Sequence, residues 1–480
     1  MDIIQVKKPS LVNYSEALSR YFSKWWIRFL LVAFLFGLLL FLNDYETVLY
    51  GDAEAYWLLS VSFFKPFSKD GFALLNYDNP IRGYLFPATL LPAYAFCYFT
   101  HVPAAWVIKL MGAAWAGLLF GVLLPAFWQK LTGRTPRWSV ISLALLLGFG
   151  YWSWGDYFSF SLTDFPAFAL LLMALLALQR DRFWWWLAAG LALAAALNFR
   201  PIYLAAVPGV ALLAFYRLYG LRAGRLRCAG SLVVGVALVL LPQFLINARN
   251  FNVNSPLVTG QLNKKTAIFK WHLAWGLRVS KLEACLMKPF GKSQLVVVAD
   301  PAGERLLQEL TGGAAFATEQ QYATAVVRRP AAFAALFGRH LFQGLNIELP
   351  SPYLVRSNRK GILFSLVNYS VLFWGVVMLG RIRFRPPVLF QLLALVLVVV
   401  ATLPLVMEPR FAMPLHLLLA TAATLGASPP VWWRLLKKSR PIRLRLLVGY
   451  GIWMLGCLTL MTSLKATTHL QPVDYFTQSH

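Results

Sequence analysis

The sequence predicts an all-α polytopic membrane protein, and three observations carry that expectation. Of 480 residues, 59% are hydrophobic and only 13% are charged. Apolar runs recur at 29–42, 104–127, 229–244, 388–403 and 446–464. With its flanks, each is about long enough to cross a ~30 Å hydrocarbon layer as a helix rising ~1.5 Å per residue. The formal charge of +26 sits in short basic tracts between those runs. Loops kept on the cytoplasmic side produce that clustering, so nucleic acid is not an expected partner.

Taken in order, the elements follow from this charge pattern. A polar amino terminus carries Lys7, Lys8, Arg20, Lys24 and Arg28, which place it inside. The first span is read as its own insertion signal, with no cleaved signal peptide. Basic tracts at 130–137, 179–182, 217–227, 381–385 and 434–445 are also placed inside. The outside set is then 44–82, 151–161, 198–200, 247–360 and 407–410. Segment 83–99 is apolar but short and holds Pro87 and Pro92, which interrupt helical hydrogen bonding. Counting it as a span would invert every later basic tract, so it is expected to be re-entrant or interfacial. About eleven spans remain, with the carboxyl terminus outside. Stretch 54–66 reads as an interfacial helix.

Three units result: an N-terminal transmembrane catalytic module, 1–246, with outer loop 43–83; an extracytoplasmic insert, 247–360; and a C-terminal transmembrane module, 361–480. The insert has helix-like tracts at 303–310 and 319–327. No repeat of fixed period is found. Cys97, Cys228, Cys285 and Cys457 lie far apart with no CxxC spacing, so neither a zinc site nor a disulfide framework is indicated. His272, His340 and His416 lack ligand spacing and read as structural. Trp184-Trp-Trp186 and Trp432-Trp433 read as interfacial belts.

Acids at a membrane boundary are costly unless they face water, a partner or a substrate. Asp52 and Glu54 sit just beyond the first span, in Gly51-Asp-Ala-Glu-Ala-Tyr56. Either they supply a general base or an anchor for an acceptor nucleophile, or Gly-Asp merely starts a helix. Asp164 opens another span on the same side, with capping ahead of Pro166 as its bland alternative; Asp156 is a weaker candidate. Arg200 and Arg410, with Arg82 and Arg249, stand on the outer side, away from the cytoplasmic clusters. Isolated guanidinium groups facing an outer cavity suit bidentate phosphate binding. The alternative is snorkelling, or pairing with a neighbour such as Glu408.

These motifs resemble those of the multi-spanning GT-C glycosyltransferases. Gly51-Asp-Ala-Glu-Ala-Tyr56 is similar to the acidic motif after that family's first span, which gives Asp52 the catalytic role, followed by Tyr56. Pro80-Ile-Arg-Gly-Tyr84 resembles a segment of the lipid A aminoarabinose transferases and protein O-mannosyltransferases, and brings in Arg82 and Tyr84. Leu162-Thr-Asp-Phe-Pro166 resembles the second acidic motif. Asn198-Phe-Arg-Pro201 and Glu408-Pro-Arg-Phe411 look like the basic positions near a carrier phosphate, and Arg249 is expected to join them.

The resemblance implies an inverting transfer of sugar from a polyprenyl-phosphate donor to a glycan, lipid or protein acceptor. The expected setting is the bacterial inner membrane, with the active site toward the periplasm or exterior and membrane lipids around it. No metal or other cofactor is required by that scheme, although Asp52, Glu54 and Asp164 offer oxygen donors that suit Mg²⁺ or Mn²⁺, and some relatives use a divalent ion. The rival functions are a transporter or flippase of lipid-linked or anionic cargo, and an O-antigen ligase or polymerase. Transporters often show paired halves with interrupted spans, and none is evident here.

Overall fold

A computed structural model describes residues 24–42, 49–64, 73–133, 140–221, 223–260, 268–286, 294–349, 351–354, 361–426 and 440–472. Lys7, Lys8, Arg20, Trp432, Trp433 and the tracts 134–137 and 434–439 lie outside the described residues.

Helices dominate because the apolar runs satisfy each backbone N–H within the segment, which hydrocarbon demands. In chain order they are α1 (Trp25–Phe41), α2 (Gly51–Leu59), α3 (Leu85–Thr100), α4 (Ala104–Thr132), α5 (Val140–Ser159), α6 (Asp164–Ala177), α7 (Phe183–Phe199), α8 (Pro201–Gly220) and α9 (Arg225–Phe251). The insert contributes α10 (Ile268–Arg278), β1 (Val279–Leu286), β2 (Gln294–Ala299), α11 (Pro301–Thr311), α12 (Glu319–Arg328), α13 (Pro330–Leu345) and β3 (Tyr353–Leu354). Then come α14 (Gly361–Leu379), α15 (Pro386–Thr402), α16 (Met413–Gly426), α17 (Arg440–Lys465) and β4 (Thr468–Pro472).

Among the described residues five helices are long and apolar enough to cross a membrane, and α5 with α6 makes a sixth if that pair, bent by 118°, is one span. α1, α3, α7, α15 and α16 are apolar but shorter. Leu226, Val233, Leu447, Ile452 and Leu455 are bare on the outer faces of α9 and α17. Apolar area that continuous needs an apolar surrounding.

Segment 83–99 is helical in spite of its prolines. Pro87 falls in the first turn of α3, where no hydrogen bond is lost, and Pro92 is the one inside the helix. Both ends of α3 lie at the same end of the bundle. Phe86, near its start, meets Phe199 at the end of α7 at 5.0 Å, while just beyond its finish Trp106 meets Phe41 at the end of α1 at 6.1 Å.

The sequence did not announce the sheet. Its strand order is β3-β1-β2-β4, with β1–β2 and β2–β4 antiparallel and β1–β3 parallel. β4 follows α17, so the end of the chain is stitched onto the insert. The tracts expected to be helical in the insert are α11 and α12. Asp300 caps α11 by accepting from the Gly303 N–H at 2.8 Å, and Thr318 caps α12 through Gln321. β1 also receives the loop after α15, where the Leu282 N–H donates to the Met407 carbonyl at 2.9 Å. That contact matters because Glu408 and Arg410 come next.

Candidate active site

Four segments meet at the same end of the bundle: the start of α2, the loop before α3, the α6 start with the α7 end, and the loop before α16. Each delivers a charge. Asp52, in the first turn of α2, accepts from Arg82 Nη2 at 2.6 Å on Oδ1 and from Arg410 Nη1 at 3.0 Å on Oδ2. Asp164, 1% exposed at the start of α6, is ion-paired with Arg200, and Arg410 Nη1 lies 3.7 Å from its Oδ2. Glu408 receives Arg410 Nε at 2.6 Å. Three carboxylates and three guanidiniums thus form one charge-balanced cluster with Arg410 at its hub. Asp164 is buried and the other five side chains are partly so, a setting that unpaired charges would not readily tolerate.

The capping alternatives are not what these acids do. The cap positions are Tyr50 for α2 and Thr163 for α6, and neither helix has a side-chain cap. The Asp52 backbone N–H is instead satisfied by the Tyr353 hydroxyl at 2.9 Å. Gly51 makes room for that ring: its φ is +49°, and a Cβ there would stand 2.9 Å from the Tyr353 ring.

Aromatic rings complete the walls. Arg82 lies over the Tyr56 ring at 4.3 Å, and the Tyr56 hydroxyl is 3.5 Å from Thr163 Oγ1. Arg200 and Arg410 lie 5.2 and 5.8 Å from the Phe411 ring. Cation–π contacts of this kind hold a guanidinium while leaving its edge free for oxygen.

Burial alone would push the Asp52 carboxyl up, but Arg410 and Arg82 outweigh it and hold it well below the usual carboxylate range. Asp52 is therefore ionised at neutral pH. It is also a weak base as it stands, because proton affinity falls with pKa.

Of the sequence candidates, Asp52, Asp164, Tyr56, Arg82, Arg200 and Arg410 converge. Glu54, Tyr84 and Arg249 do not. Glu54 is exposed; at two residues from Asp52 on one helix it must point elsewhere. The Tyr84 hydroxyl donates to the Val239 carbonyl at 3.1 Å, and its ring packs with Phe63, Tyr77 and Ile246. Arg249 is exposed at the end of α9, with no ion pair among the described residues.

The three acids considered for a divalent ion do not share one point: Asp52 and Asp164 are engaged by arginine and Glu54 faces away. No set of three His, Cys, Asp or Glu side chains fit for a metal occurs among the described residues. Two of the three histidines show structural contacts. His416 accepts from Trp154 Nε1 at 3.1 Å through Nδ1, which leaves its Nε2–H to donate to Asn368 Oδ1 at 2.9 Å. His340 Nδ1 lies 2.7 Å from the Leu403 carbonyl oxygen.

Two participants escaped the sequence reading. Tyr353 comes from the insert, and no local pattern ties it to residue 52. Glu408 appeared only as a rival partner for Arg410, whereas the structure shows Arg410 on Glu408 and Asp52 together. No known family model, curated protein or solved structure matches the chain.

Proposed function

We propose that the chain is an inverting glycosyltransferase of the GT-C kind, moving a sugar from a polyprenyl-phosphate donor to a glycan, lipid or protein acceptor at the non-cytoplasmic face of a membrane. The observation that carries this reading is the cluster itself, in which Asp52 and Asp164, from separate helices, are bridged by one arginine and flanked by two more. An anionic ligand entering there exchanges carboxylate partners for phosphate oxygens, which Arg side chains bind with matched geometry. A narrow, partly open apolar crevice beside the start of α6 is lined by Phe86, Leu90, Ile108, Met111, Trp115 and Phe165.

In this reading the phosphate draws Arg82 and Arg410 off Asp52, and the carboxylate regains basicity as its counter-charges leave. Asp52 then takes the proton of the acceptor hydroxyl while that oxygen attacks the anomeric carbon. The bond from that carbon to the phosphate oxygen breaks with its electron pair going to the phosphate, where the arginines meet the developing charge.

About eleven spans, the modules 1–246, 247–360 and 361–480, and an inner-membrane location with the site toward the periplasm belong to the same proposal. The two ends of α3 at one end of the bundle support a helix that does not cross. A cysteine at Lys130 should be shielded from membrane-impermeant maleimide in intact cells, and one at Gln320 should react, with the four native cysteines replaced. The opposite pattern would sink the orientation.

Function is tested with purified protein, labelled polyprenyl-phosphate sugars and candidate acceptors. Single-sugar transfer with release of polyprenyl phosphate supports the reading. Movement of lipid cargo without product would make the chain a transporter or flippase, and transfer of long glycans an O-antigen ligase or polymerase.

A further inference from the structure

Behind Arg82 lies a chain of buried carboxamides. Asn198, two residues before Arg200, accepts the Leu85 N–H on Oδ1 at 2.9 Å and donates through Nδ2 to Gln243 Oε1 at 2.9 Å. Gln243 Oε1 also accepts the Tyr84 N–H at 3.3 Å, and its Nε2 donates to Asn247 Oδ1 at 2.9 Å. Asn247 Nδ2 donates to the carbonyls of Ser255 and Leu257, both at 2.7 Å. The three residues are 2%, 1% and 0% exposed. A backbone N–H can only donate and a backbone carbonyl can only accept, so the groups at the two ends fix the direction of every amide between them.

The helices are built for this contact. Gly190 of α7 and Gly235 of α9 pack backbone to backbone, and a Cβ at either would stand 3.1 Å from the other's Cα. Two turns further along both helices, Asn198 and Gln243 are then within reach.

The end of α9 and the chain leaving it grip the same loop. Asn250 Nδ2 donates to the carbonyls of Leu75 and Tyr77 at 3.0 and 2.6 Å, while Thr259 Oγ1 and the Gly260 N–H donate to the Pro80 carbonyl at 2.8 and 2.9 Å. Asn79 Oδ1 then accepts from the N–H groups of Ile81 and Arg82 at 3.0 and 2.8 Å, an Asx turn that presents the arginine.

We propose that Asn198, Gln243 and Asn247, with the clamp formed by Asn250, Thr259 and Gly260, are a positioning relay that sets where Arg82 stands opposite Arg200 and Arg410, so that the first stretch of the insert is part of the phosphate site. This rests on the lipid-phosphate reading for its ligand and on geometry alone for its mechanics. Asn247→Asp replaces that donor with an acceptor facing two carbonyls and breaks the relay. The Asn250→Ala/Thr259→Val double variant releases only the clamp, and keeps the proposal testable if the first variant does not fold.

Two readouts decide it. With native cysteines replaced, the maleimide labelling rate of Ile81→Cys, with no ligand present, should rise about tenfold in either variant; an unchanged rate overturns the relay. Each variant should also weaken polyprenyl-phosphate binding about tenfold in the wild-type background and add no loss in an Arg82→Ala background, because both act through one side chain. Additive losses would show a merely structural role and overturn the proposal. If the unsubstituted protein fails to bind polyprenyl phosphate while Ile81→Cys labelling responds, the function assigned above is wrong and the relay stands.

Discussion

Asp52→Asn should abolish sugar transfer without weakening the hold on the carrier. A general base contributes about 10²–10⁴-fold to rate, so turnover should fall by at least about a hundredfold. Removing one negative charge leaves Arg82 and Arg410 less neutralised, so polyprenyl phosphate should bind as tightly as before or tighter. That split between rate and binding separates a base from an anchor: if Asp52 only held the arginines in place, both quantities would fall together. Glu54→Gln serves as the control, since Glu54 is exposed and away from the cluster; turnover should stay within about twofold, as for most surface changes. A transfer assay and a binding isotherm on the two variants suffice, and wild-type turnover in Asp52→Asn would remove that residue from the mechanism.

What the sequence made legible was local. Apolar runs located α1, α4, α9, α15 and α17, because hydrocarbon permits little else. Asp52, Asp164 and Arg410 drew notice because charge beside a span is expensive. Position along a helix is equally readable for Glu54, since a residue two positions away on a helix cannot share a face with Asp52.

Long-range pairing was not legible. Val296, Val297 and Val298 form a short apolar run that periodicity alone cannot assign to strand or helix, and one of their two partner strands arrives only after α17. Tyr353 reaches the Asp52 N–H solely because β3 lies beside β1, and Tyr84 is claimed by the Val239 carbonyl, a partner no motif reveals. The site is therefore most opaque where the insert enters it.

Arg410 is where a single change should be most damaging to binding. Its guanidinium reaches Glu408 at 2.6 Å, Asp52 at 3.0 Å and Asp164 at 3.7 Å. Arg410→Ala leaves three carboxylates against Arg82 and Arg200, a net negative charge where the proposed lipid phosphate would bind. The direct loss is a charge-assisted contact of about 1.5–3 kcal/mol, roughly ten- to a hundredfold in affinity, and repulsion from the uncovered Asp52 and Glu408 adds to it. Arg410→Lys should recover only part, since an ammonium is a point charge that cannot span two carboxylates as the planar fork does. The competing explanation, that Arg410 exists only to neutralise Glu408, makes a different forecast: Glu408→Gln combined with Arg410→Met would remove both charges and restore polyprenyl-phosphate binding. We expect binding to remain lost in that pair, because Asp52 still faces the ligand without the bridge. Isotherms for the three variants decide between the two explanations, and wild-type affinity in Arg410→Ala would return this arginine to structure.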